Sequence, residues 1–328
     1  MHNTSYRAGR LLPRADLNLA KNDQRSNANL VQEYMTRKII TCRTSSTLLD
    51  VEELLSNQRV SRVVVVDAKR SPKGIISEKD VMRFMLTDNS TRGLNQTCAH
   101  EIMSSRLIAI QPHVLVSRAA EMMIRENISS LLVEDEHLEG ILTKADITNY
   151  LGATNRRTDT VDHYMTSTPI TVEPSQSLLS VVELMSQNKI SRVVVIDQNH
   201  EPKGIITLAD LTLLLLSFCF GRTPANDFLK RTETIGLTAK DFMTHNPLTI
   251  DQSMDLSEAA RMMTKHRVSG LPVTDNSKKL AGIVSKTDIA RAVAYEGKVN
   301  HPTMERPYRE QEGRTRSDLQ QEETCSIH

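Results

Sequence analysis

The chain has 328 residues, enough for about two average domains with a substantial hydrophobic core. Lysine plus arginine (41) nearly balance aspartate plus glutamate (40), so no overall field draws the protein to nucleic acid or to an acidic membrane surface. The four cysteines lie far apart and form no C-x-x-C pair, which excludes a zinc ribbon and a thioredoxin-type motif and favours a reducing compartment.

The first segment, residues 1–30, is rich in Asn, Arg and Ser and has no sustained periodicity. We predict a mobile, mildly basic arm here. No apolar segment follows its arginines, so the pattern is not that of a secretory signal. No apolar run in the chain reaches the roughly 20 residues that a membrane-spanning helix needs. We therefore expect a soluble, cytoplasmic protein.

One seven-residue pattern then recurs four times along the chain. It consists of a Gly, two apolar residues, a Ser or Thr, and an Asp three positions after that hydroxyl residue. The pattern predicts a short strand that runs into the N-terminus of an apolar-periodic helix, which is a natural place to bind an anion. The copies occupy residues 74–80, 140–146, 204–210 and 282–288.

Each copy is preceded by the same landmarks. A Met followed by Thr or Ser opens each unit, and a short strand and an amphipathic helix come next. A serine 26 residues after the Met leads an apolar strand, and a polar turn connects that strand to the seven-residue pattern. The unit is therefore β-α-β-β-α. Continuous β-branched runs such as Val63 to Val66 predict strands that are covered on both faces or packed against helices.

These landmarks divide the chain into successive segments. We predict the arm (1–30), unit one (31–90), unit two (91–155), unit three (156–222), a linker with unit four (223–298) and a disordered polar tail (299–328). The longest interval between units contains an apolar run from Leu213 to Phe220. Because this run is apolar on all sides, we expect a buried helix at a module or subunit interface, with ordinary core packing and membrane contact as the alternatives.

With four such units in register, the chain resembles the cystathionine-β-synthase (CBS) domain family over residues 31–298. The resemblance implies an α/β (α+β) fold of tandem β-α-β-β-α units, paired into two Bateman modules. It also implies adenosyl ligands in the clefts between paired units and disc-like dimers of pairs. The two stacked modules come either from one chain or from two chains, and the sequence leaves both arrangements open.

The repeated Asp supplies oxygens that accept hydrogen bonds from ribose hydroxyls, and the preceding Ser or Thr lies where free backbone N–H groups converge on phosphate. The family uses these positions for ribose and phosphate, which here implies Ser77, Asp80, Thr143, Asp146, Thr207, Asp210, Ser285 and Asp288. The family also uses the threonine of the first strand near the base or phosphate, which here implies Thr41, Thr171 and Thr249. Basic residues that flank the Ser-led strand complete the candidate set with Arg62 and Arg192. Unit two departs from this pattern, with Ala109 in place of the threonine and a shorter turn.

Each hydroxyl–Asp pair is also a candidate capping box, and the two roles are compatible. Arg62 and Arg192 are likewise candidates for solvated surface arginines. The chain lacks H-E-x-x-H, G-x-S-x-G, Walker A and G-x-G-x-x-G motifs, so we expect no enzymatic activity and no metal site. With no Trp and 3% aromatic residues, stacking on nucleic-acid bases is not expected.

The sequence thus predicts a non-catalytic regulatory sensor that binds AMP, ADP, ATP or S-adenosylmethionine and signals to a protein partner by a conformational shift, as a homodimer. One alternative is a nucleic-acid-associated regulator that uses the basic arm at Arg7, Arg10, Arg14, Lys21 and Arg25. Another is a ligand-free structural scaffold. In enzymes similar to inosine-monophosphate dehydrogenase, the CBS units are insertions in a barrel. We do not expect such an enzyme here, because no barrel-sized segment remains outside the four units. The choice of ligand, the number of occupied sites and the partner stay open.

Overall fold

A computed structural model describes residues 29–87, 92–154, 158–212 and 236–295, without the side chains of residues 86 and 87. Most of the predicted arm, the predicted tail and the apolar run 213–220 lie outside these segments. The basic residues that the nucleic-acid alternative requires lie outside them as well.

Each unit contains a small sheet in which the first strand is parallel to the second and the third is antiparallel to the second. The sheet of unit three gains a fourth strand, β10, from the start of unit four. The strands are β1 (Thr41–Arg43), β2 (Arg62–Val66), β3 (Pro72–Ser77), β4 (Ala109–Ile110), β5 (Ser130–Glu134), β6 (Leu138–Thr143), β7 (Thr171–Val172), β8 (Arg192–Ile196), β9 (Pro202–Thr207), β10 (Thr244–His245), β11 (Ile250–Asp251), β12 (Gly270–Thr274) and β13 (Leu280–Ser285).

A short helix opens each unit, a feature that the predicted β-α-β-β-α order did not include. A second helix follows the first strand, and a third closes the unit. Helices with both ends described are α1 (Val31–Tyr34), α2 (Leu48–Asn57), α3 (Glu78–Thr87), α4 (Ala99–Ile102), α5 (Val116–Arg125), α6 (Lys144–Ala153), α7 (Val161–Tyr164), α8 (Leu178–Gln187), α9 (Ala239–Phe242), α10 (Leu256–His266) and α11 (Lys286–Tyr295). The closing helix of unit three is described over residues 208–212. Within the described segments, no helix has the length and apolar character needed to cross a membrane.

The second strand of unit one is buried on both faces, as its β-branched run predicts. Val63 and Val65 pack into a core that units one and three share. Val64 and Val66 point to the opposite face, where they pack against residues of the unit-two sheet. The prediction that such strands are covered on both faces is therefore confirmed.

The start of each unit crosses over to the third strand of its paired unit. Thr36 of unit one bridges to Ile141 of unit two, and Ser104 of unit two bridges to Ile75 of unit one. The second module repeats this reciprocal exchange through the bridge of Thr166 to Ile283 and the pairing of β10 with β9. Units one and two thus form one pair, and units three and four form the other.

The methionine landmark and the glycine landmark are the two halves of one contact. The Met before each crossover lies against the Gly of the paired unit's third strand, where a Cβ atom would collide with its side chain. An added Cβ atom would lie 2.5 Å from Met103 Sδ at Gly74, 2.9 Å from Met35 Sδ at Gly140 and 2.6 Å from Met165 Sδ at Gly282, with Gly204 and Met243 in the same relation. A larger residue at these positions would require the methionine or the crossover segment to move.

The two modules of the chain stack on each other. Helix α5 of unit two packs along α11 of unit four, and α6 packs along α10 and α11, so that one core contains residues of both units. Units one and three share a second core. At Gly152 in α6, a Cβ atom would lie 3.1 Å from the backbone nitrogen of Arg261 in α10. Of the two arrangements that the sequence leaves open, the structure shows stacking within one chain.

Candidate functional site

A capped carboxylate lies at the start of each closing helix. In all four units, the Asp Oδ2 atom accepts hydrogen bonds from both the backbone N–H and the side-chain hydroxyl of the Ser or Thr three residues earlier. The backbone and hydroxyl distances are 2.9 and 2.7 Å for Ser77–Asp80, 2.7 and 2.7 Å for Thr143–Asp146, 2.9 and 2.6 Å for Thr207–Asp210, and 2.8 and 2.8 Å for Ser285–Asp288. The carboxylate half of the predicted capping box is therefore present in all four units, and in units two, three and four the hydroxyl also accepts a hydrogen bond from a backbone N–H of the first helical turn.

This geometry limits what each pair can offer to a ligand. Because the hydroxyl already donates to Oδ2, the donors that remain for a phosphate are the free backbone N–H groups of the helix start and nearby cations. Because Oδ2 already accepts two hydrogen bonds, Oδ1 is the atom left for a ribose hydroxyl. The candidate ribose acceptor is therefore one oxygen in each unit.

The Oδ1 atoms of the four carboxylates have different surroundings. That of Asp80 accepts from Arg83 Nη2 at 3.2 Å, and that of Asp288 accepts from Arg291 Nη1 at 2.9 Å. The Oδ1 atom of Asp146 has a long contact of 3.5 Å with the Thr36 hydroxyl of the paired unit. For Asp210, no hydrogen bond to Oδ1 occurs among the described residues.

The predicted arginines connect the two units of each pair. Arg62 lies opposite Ser77 in the strand pairing and donates to the Ser129 carbonyl at 2.8 Å and hydroxyl at 3.0 Å. Arg192 donates to the Ser269 hydroxyl at 2.8 Å, and its guanidinium fills the space that a side chain at Gly270 would need. The alternative that these arginines are solvated surface residues is wrong, since both are half-buried and span two units.

Each arginine also lies close to a carboxylate of the paired unit. Burial lowers the pKa of Arg62, and the charges of Asp146, Asp80 and Glu78 oppose this effect. Burial lowers the pKa of Arg192, and Asp288 opposes it. The Nε atom of Arg192 is buried and has no hydrogen-bond partner among the described residues. A guanidinium of one unit and a capped carboxylate of the other therefore share each cleft.

Three lysines in the first turns of the closing helices form part of the same region, and the sequence analysis did not identify them. Lys144 Nζ donates to the Thr287 hydroxyl of the other module at 3.2 Å. Burial, followed by the charges of Lys79 and Arg291, lowers the pKa of Lys144 to about 8. Burial and then Arg192 lower the pKa of both Lys79 and Lys286. We call Arg62, Lys79, Lys144, Arg192 and Lys286 the central cations.

The repeat pattern gave no signal for these lysines because the positions after the Ser or Thr vary between copies. The first helical residue is Glu78 in unit one, Leu208 in unit three and lysine in the other two units. Burial raises the pKa of Glu78. The positive charges of Arg62 and Lys286 lower this pKa, and the negative charge of Asp210 raises it. The helix starts of units one, three and four are thus within electrostatic range of one another.

The predicted first-strand threonines lie apart from the carboxylates. Thr41 opens β1, Thr171 opens β7, and Thr249 directly precedes β11. Among the described residues, no hydrogen bond joins any of these threonines to a repeated Asp. Thr171 lines an open depression of about 510 Å³ with Glu173, Gln176 and neighbouring residues. The described segments contain no group of three or more His, Cys, Asp or Glu side chains arranged to hold a metal ion.

Comparison with known proteins agrees with this architecture. The family model of the CBS domain matches residues 31–87, 99–153, 161–217 and 239–295. Protein MJ1404 of Methanocaldococcus jannaschii is 25% identical over 269 residues, a match that covers 80% of this chain and only 62% of that protein, less than two thirds of it. Protein MJ1225 of the same organism is 23% identical over 274 residues, with 79% of this chain and 96% of that protein covered.

Two crystal structures share the fold over most of the chain. The structure of MJ1225 has a TM-score of 0.68 at 21% identity and covers 80% of this chain and 99% of that chain. The structure of a protein from Pyrococcus horikoshii has a TM-score of 0.57 at 18% identity, with the same coverage of 80% and 99%.

Proposed function

This chain belongs to the CBS-domain family, and on that premise we propose that it is a regulatory sensor without chemistry of its own. It binds an adenosyl ligand in the clefts between paired units. The candidates for this ligand are AMP, ADP, ATP and S-adenosylmethionine. Binding favours one relative arrangement of the units, and a protein partner responds to that arrangement. The site residues are the capped carboxylates together with the central cations.

The observation that carries this proposal is the crossing of Arg62 and Arg192 into the paired unit, beside Asp146 and Asp288. A carboxylate that only caps a helix has no need of a half-buried guanidinium from another unit, because burying that charge costs free energy. An adenosine phosphate needs both groups, since the carboxylate accepts from ribose hydroxyls and the guanidinium binds phosphate oxygens.

The central cations favour phosphate-bearing ligands over S-adenosylmethionine. The lysines lie close enough to one another and to the arginines that these charges lower the pKa of Lys79, Lys144 and Lys286. An anionic phosphate relieves this mutual repulsion, and the helix N-termini add further attraction. The sulfonium of S-adenosylmethionine adds another positive charge to the same region. We therefore place AMP, ADP and ATP ahead of S-adenosylmethionine.

Signalling follows from the fact that both units of a pair contribute to each cleft. A ligand that contacts both units shifts their equilibrium by the difference between its affinities for the two arrangements. Because units one and three share a core, as do units two and four, a change within one module alters the surface presented to the other. This arrangement supports coupling between the modules.

A structural scaffold is the second candidate function, and the capping geometry of the four pairs favours it. In that case, each Asp contributes only helix stability, about 1 kcal/mol for a cap, and no nucleotide stabilises the protein. The two candidate functions differ in their response to ligand.

Thermal unfolding of the full chain with AMP, ADP, ATP and S-adenosylmethionine tests the proposal. A ligand at 100 times its dissociation constant stabilises the folded state by about 2.7 kcal/mol per site, which is visible as a rise in Tm. We expect such a rise with at least one adenine nucleotide. The Asp146→Ala variant should lose the part of the rise that arises from the cleft that Arg62 enters.

Asp241→Ala is the matched control for this experiment. Asp241 forms the same kind of cap with Thr238, outside the four repeated patterns. Its Oδ2 atom accepts hydrogen bonds from the Thr238 backbone N–H at 2.9 Å and from the Thr238 hydroxyl at 2.6 Å. Both variants should lose about 1 kcal/mol of stability without ligand. Only Asp146→Ala should lose nucleotide stabilisation. Equal nucleotide responses in the two variants, or no response in the wild type, would favour the scaffold.

A further inference from the structure

The two units that carry the crossing arginines differ in the residue that follows the repeated Ser or Thr. In unit one, Arg62 lies opposite Ser77 in the strand pairing, and Glu78 comes directly after this serine. In unit three, Arg192 lies opposite the repeated threonine, and Leu208 comes next and packs against the shared core. The same strand register therefore brings an acid near one arginine and an apolar residue near the other.

Glu78 is half-buried at the first position of α3, and charged groups of other elements act on it. Burial raises its pKa, whereas the positive charges of Arg62 in β2 and Lys286 in α11 lower it. Two acids also interact with Glu78, namely Asp210 in the closing helix of unit three and Glu52 in α2. Because Lys286 belongs to unit four, Glu78 interacts with cations of both modules.

The charges around the two arginines show the same difference. Burial lowers the pKa of both side chains. At Arg62, the two capped carboxylates of its module and Glu78 oppose this effect, whereas Asp288 opposes it at Arg192. The Nε atom of Arg192 is buried and has no hydrogen-bond partner among the described residues. Arg62 therefore has an acid of the chain nearby in addition to the carboxylates that cap helices.

A carboxylate and a phosphate are attracted by the same groups. Both accept hydrogen bonds from a guanidinium, and both are favoured at a helix N-terminus. Two anions that share one set of cations repel each other, and partial burial strengthens this repulsion. A phosphate that enters the cleft of Arg62 therefore meets the charge of Glu78. Units two and four have a lysine at the corresponding position, Lys144 and Lys286, which attracts phosphate instead.

We propose that Glu78 is a specificity-determining residue that competes with ligand phosphate for Arg62 and Lys286, and so lowers the affinity of the cleft that Arg62 enters for adenine nucleotides. This inference rests on the proposed function and concerns the selectivity of the same site. Adenosine has the ribose but lacks the phosphate, so this competition does not affect it. The cleft that Arg192 enters has Leu208 at the corresponding position and lacks this competitor.

Titration calorimetry of the full chain at pH 8 with AMP, ATP and adenosine tests the competition. Glu78→Gln removes the charge and keeps the size, so one cleft should bind AMP on the order of tenfold more tightly than in the wild type. The affinity for adenosine should not change. Glu78→Lys, which copies units two and four, should give a larger gain for AMP. In an Asp146→Ala background, the gain from Glu78→Gln should disappear.

Affinity is the required measurement because Glu78 also affects stability without ligand. Its charge adds to the effect of burial in raising the pKa of Glu52, so Glu78→Gln changes the free energy of unfolding by itself. A rise in Tm would combine that change with any gain in binding. Calorimetric titration of the folded protein separates the two effects.

Glu258→Gln is the matched control, since Glu258 accepts from Arg261 Nε at 2.8 Å on α10, outside the closing helices. It should leave the affinities for AMP, ATP and adenosine unchanged. Unaltered or weaker AMP binding in Glu78→Gln, or an equal gain for AMP and adenosine, would overturn the competition and leave the sensor function standing. If neither AMP nor ATP binds the wild type or Glu78→Gln, nucleotide sensing fails and this inference fails with it.

Discussion

At the scale of single residues, Glu52 is an acid at a position that is apolar in the other three units. Its counterparts, Ala120, Val182 and Ala260, are all buried in the cores that join the modules. Glu52 is 5% exposed, and its Oε2 atom has no hydrogen-bond partner among the described residues. Burial, followed by the charge of Glu78, raises its pKa to about 7.

This pKa predicts a pH dependence of stability. An acid whose pKa is raised on folding destabilises the folded state when it ionises, so the free energy of unfolding should fall between pH 4.5 and 7 and level off above 7. The full effect is about 3 kcal/mol, to order of magnitude. Glu52→Val, which copies unit three, should remove this loss and make the protein more stable than the wild type at pH 8.

Urea unfolding at pH 5 and pH 8 measures the difference. Glu52→Gln serves as the control of equal size, since it removes the charge and keeps a polar group in the core. The expected outcome is a smaller pH dependence in both variants than in the wild type. If the pH dependence of the wild type and both variants is the same, Glu52 is solvated and does not have the raised pKa.

At the scale of secondary-structure elements, the crossover of each unit start onto the paired sheet is held by a Met–Gly contact. Gly282→Ala would place a Cβ atom 2.6 Å from Met165 Sδ, so the methionine or the crossover must move. We expect a loss of about 1–3 kcal/mol in the free energy of unfolding, typical of overpacking. Chemical denaturation measures this loss.

A double-mutant cycle with Met165→Ala tests the cause. Shortening the methionine alone leaves a cavity and destabilises the protein. In the double variant, the alanine at position 282 fills part of that space. The loss of unfolding free energy in the double variant should therefore be smaller than the sum of the losses in the two single variants. Strict additivity would show that the glycine is required for a reason other than this contact.

At the scale of the whole molecule, stacking of the two modules brings helix starts from all four units together at the central cations. Lys144 has a pKa of about 8 because burial and neighbouring positive charges destabilise its ammonium form. A bound phosphate reverses that electrostatic effect and raises the pKa. Nucleotide binding at pH 8 should therefore be accompanied by proton uptake at Lys144.

Calorimetric titration in buffers of different ionisation enthalpy measures this uptake. At pH 8, the wild type should take up more protons on binding AMP or ATP than Lys144→Gln does. The comparison between variants cancels the protons that the nucleotide's own phosphate exchanges. Identical uptake in the two proteins would show that the phosphate binds away from Lys144.

The assembly expected from sequence, a homodimer, stays a prediction. A chain that carries one pair of units needs a second chain for two modules to stack. Here the two modules of a single chain stack on each other. A second copy would therefore have to use another surface. The molar mass in solution, measured by light scattering, decides between a monomer and a dimer.

Much of the site was predictable because its signals are local. The hydroxyl–Asp pairs depend on a spacing of three residues at a helix start, and the structure places all four as capped carboxylates. Their Oδ1 environments were not predictable, because Arg83 and Arg291 lie at a position where the copies differ. The lysines were missed for the same reason, and the first-strand threonines have no hydrogen bond to the carboxylates within the described segments.

The number and order of the units, the buried faces of their strands and the candidate carboxylates could all be read from the amino-acid sequence. These properties follow from periodicity and short spacings, which each unit repeats. The three-dimensional arrangement was needed to establish which units pair, why Met and Gly recur together, that Arg62 and Arg192 span two units, and that the modules of one chain stack. Those features are contacts between residues far apart in the chain, and no local pattern encodes them.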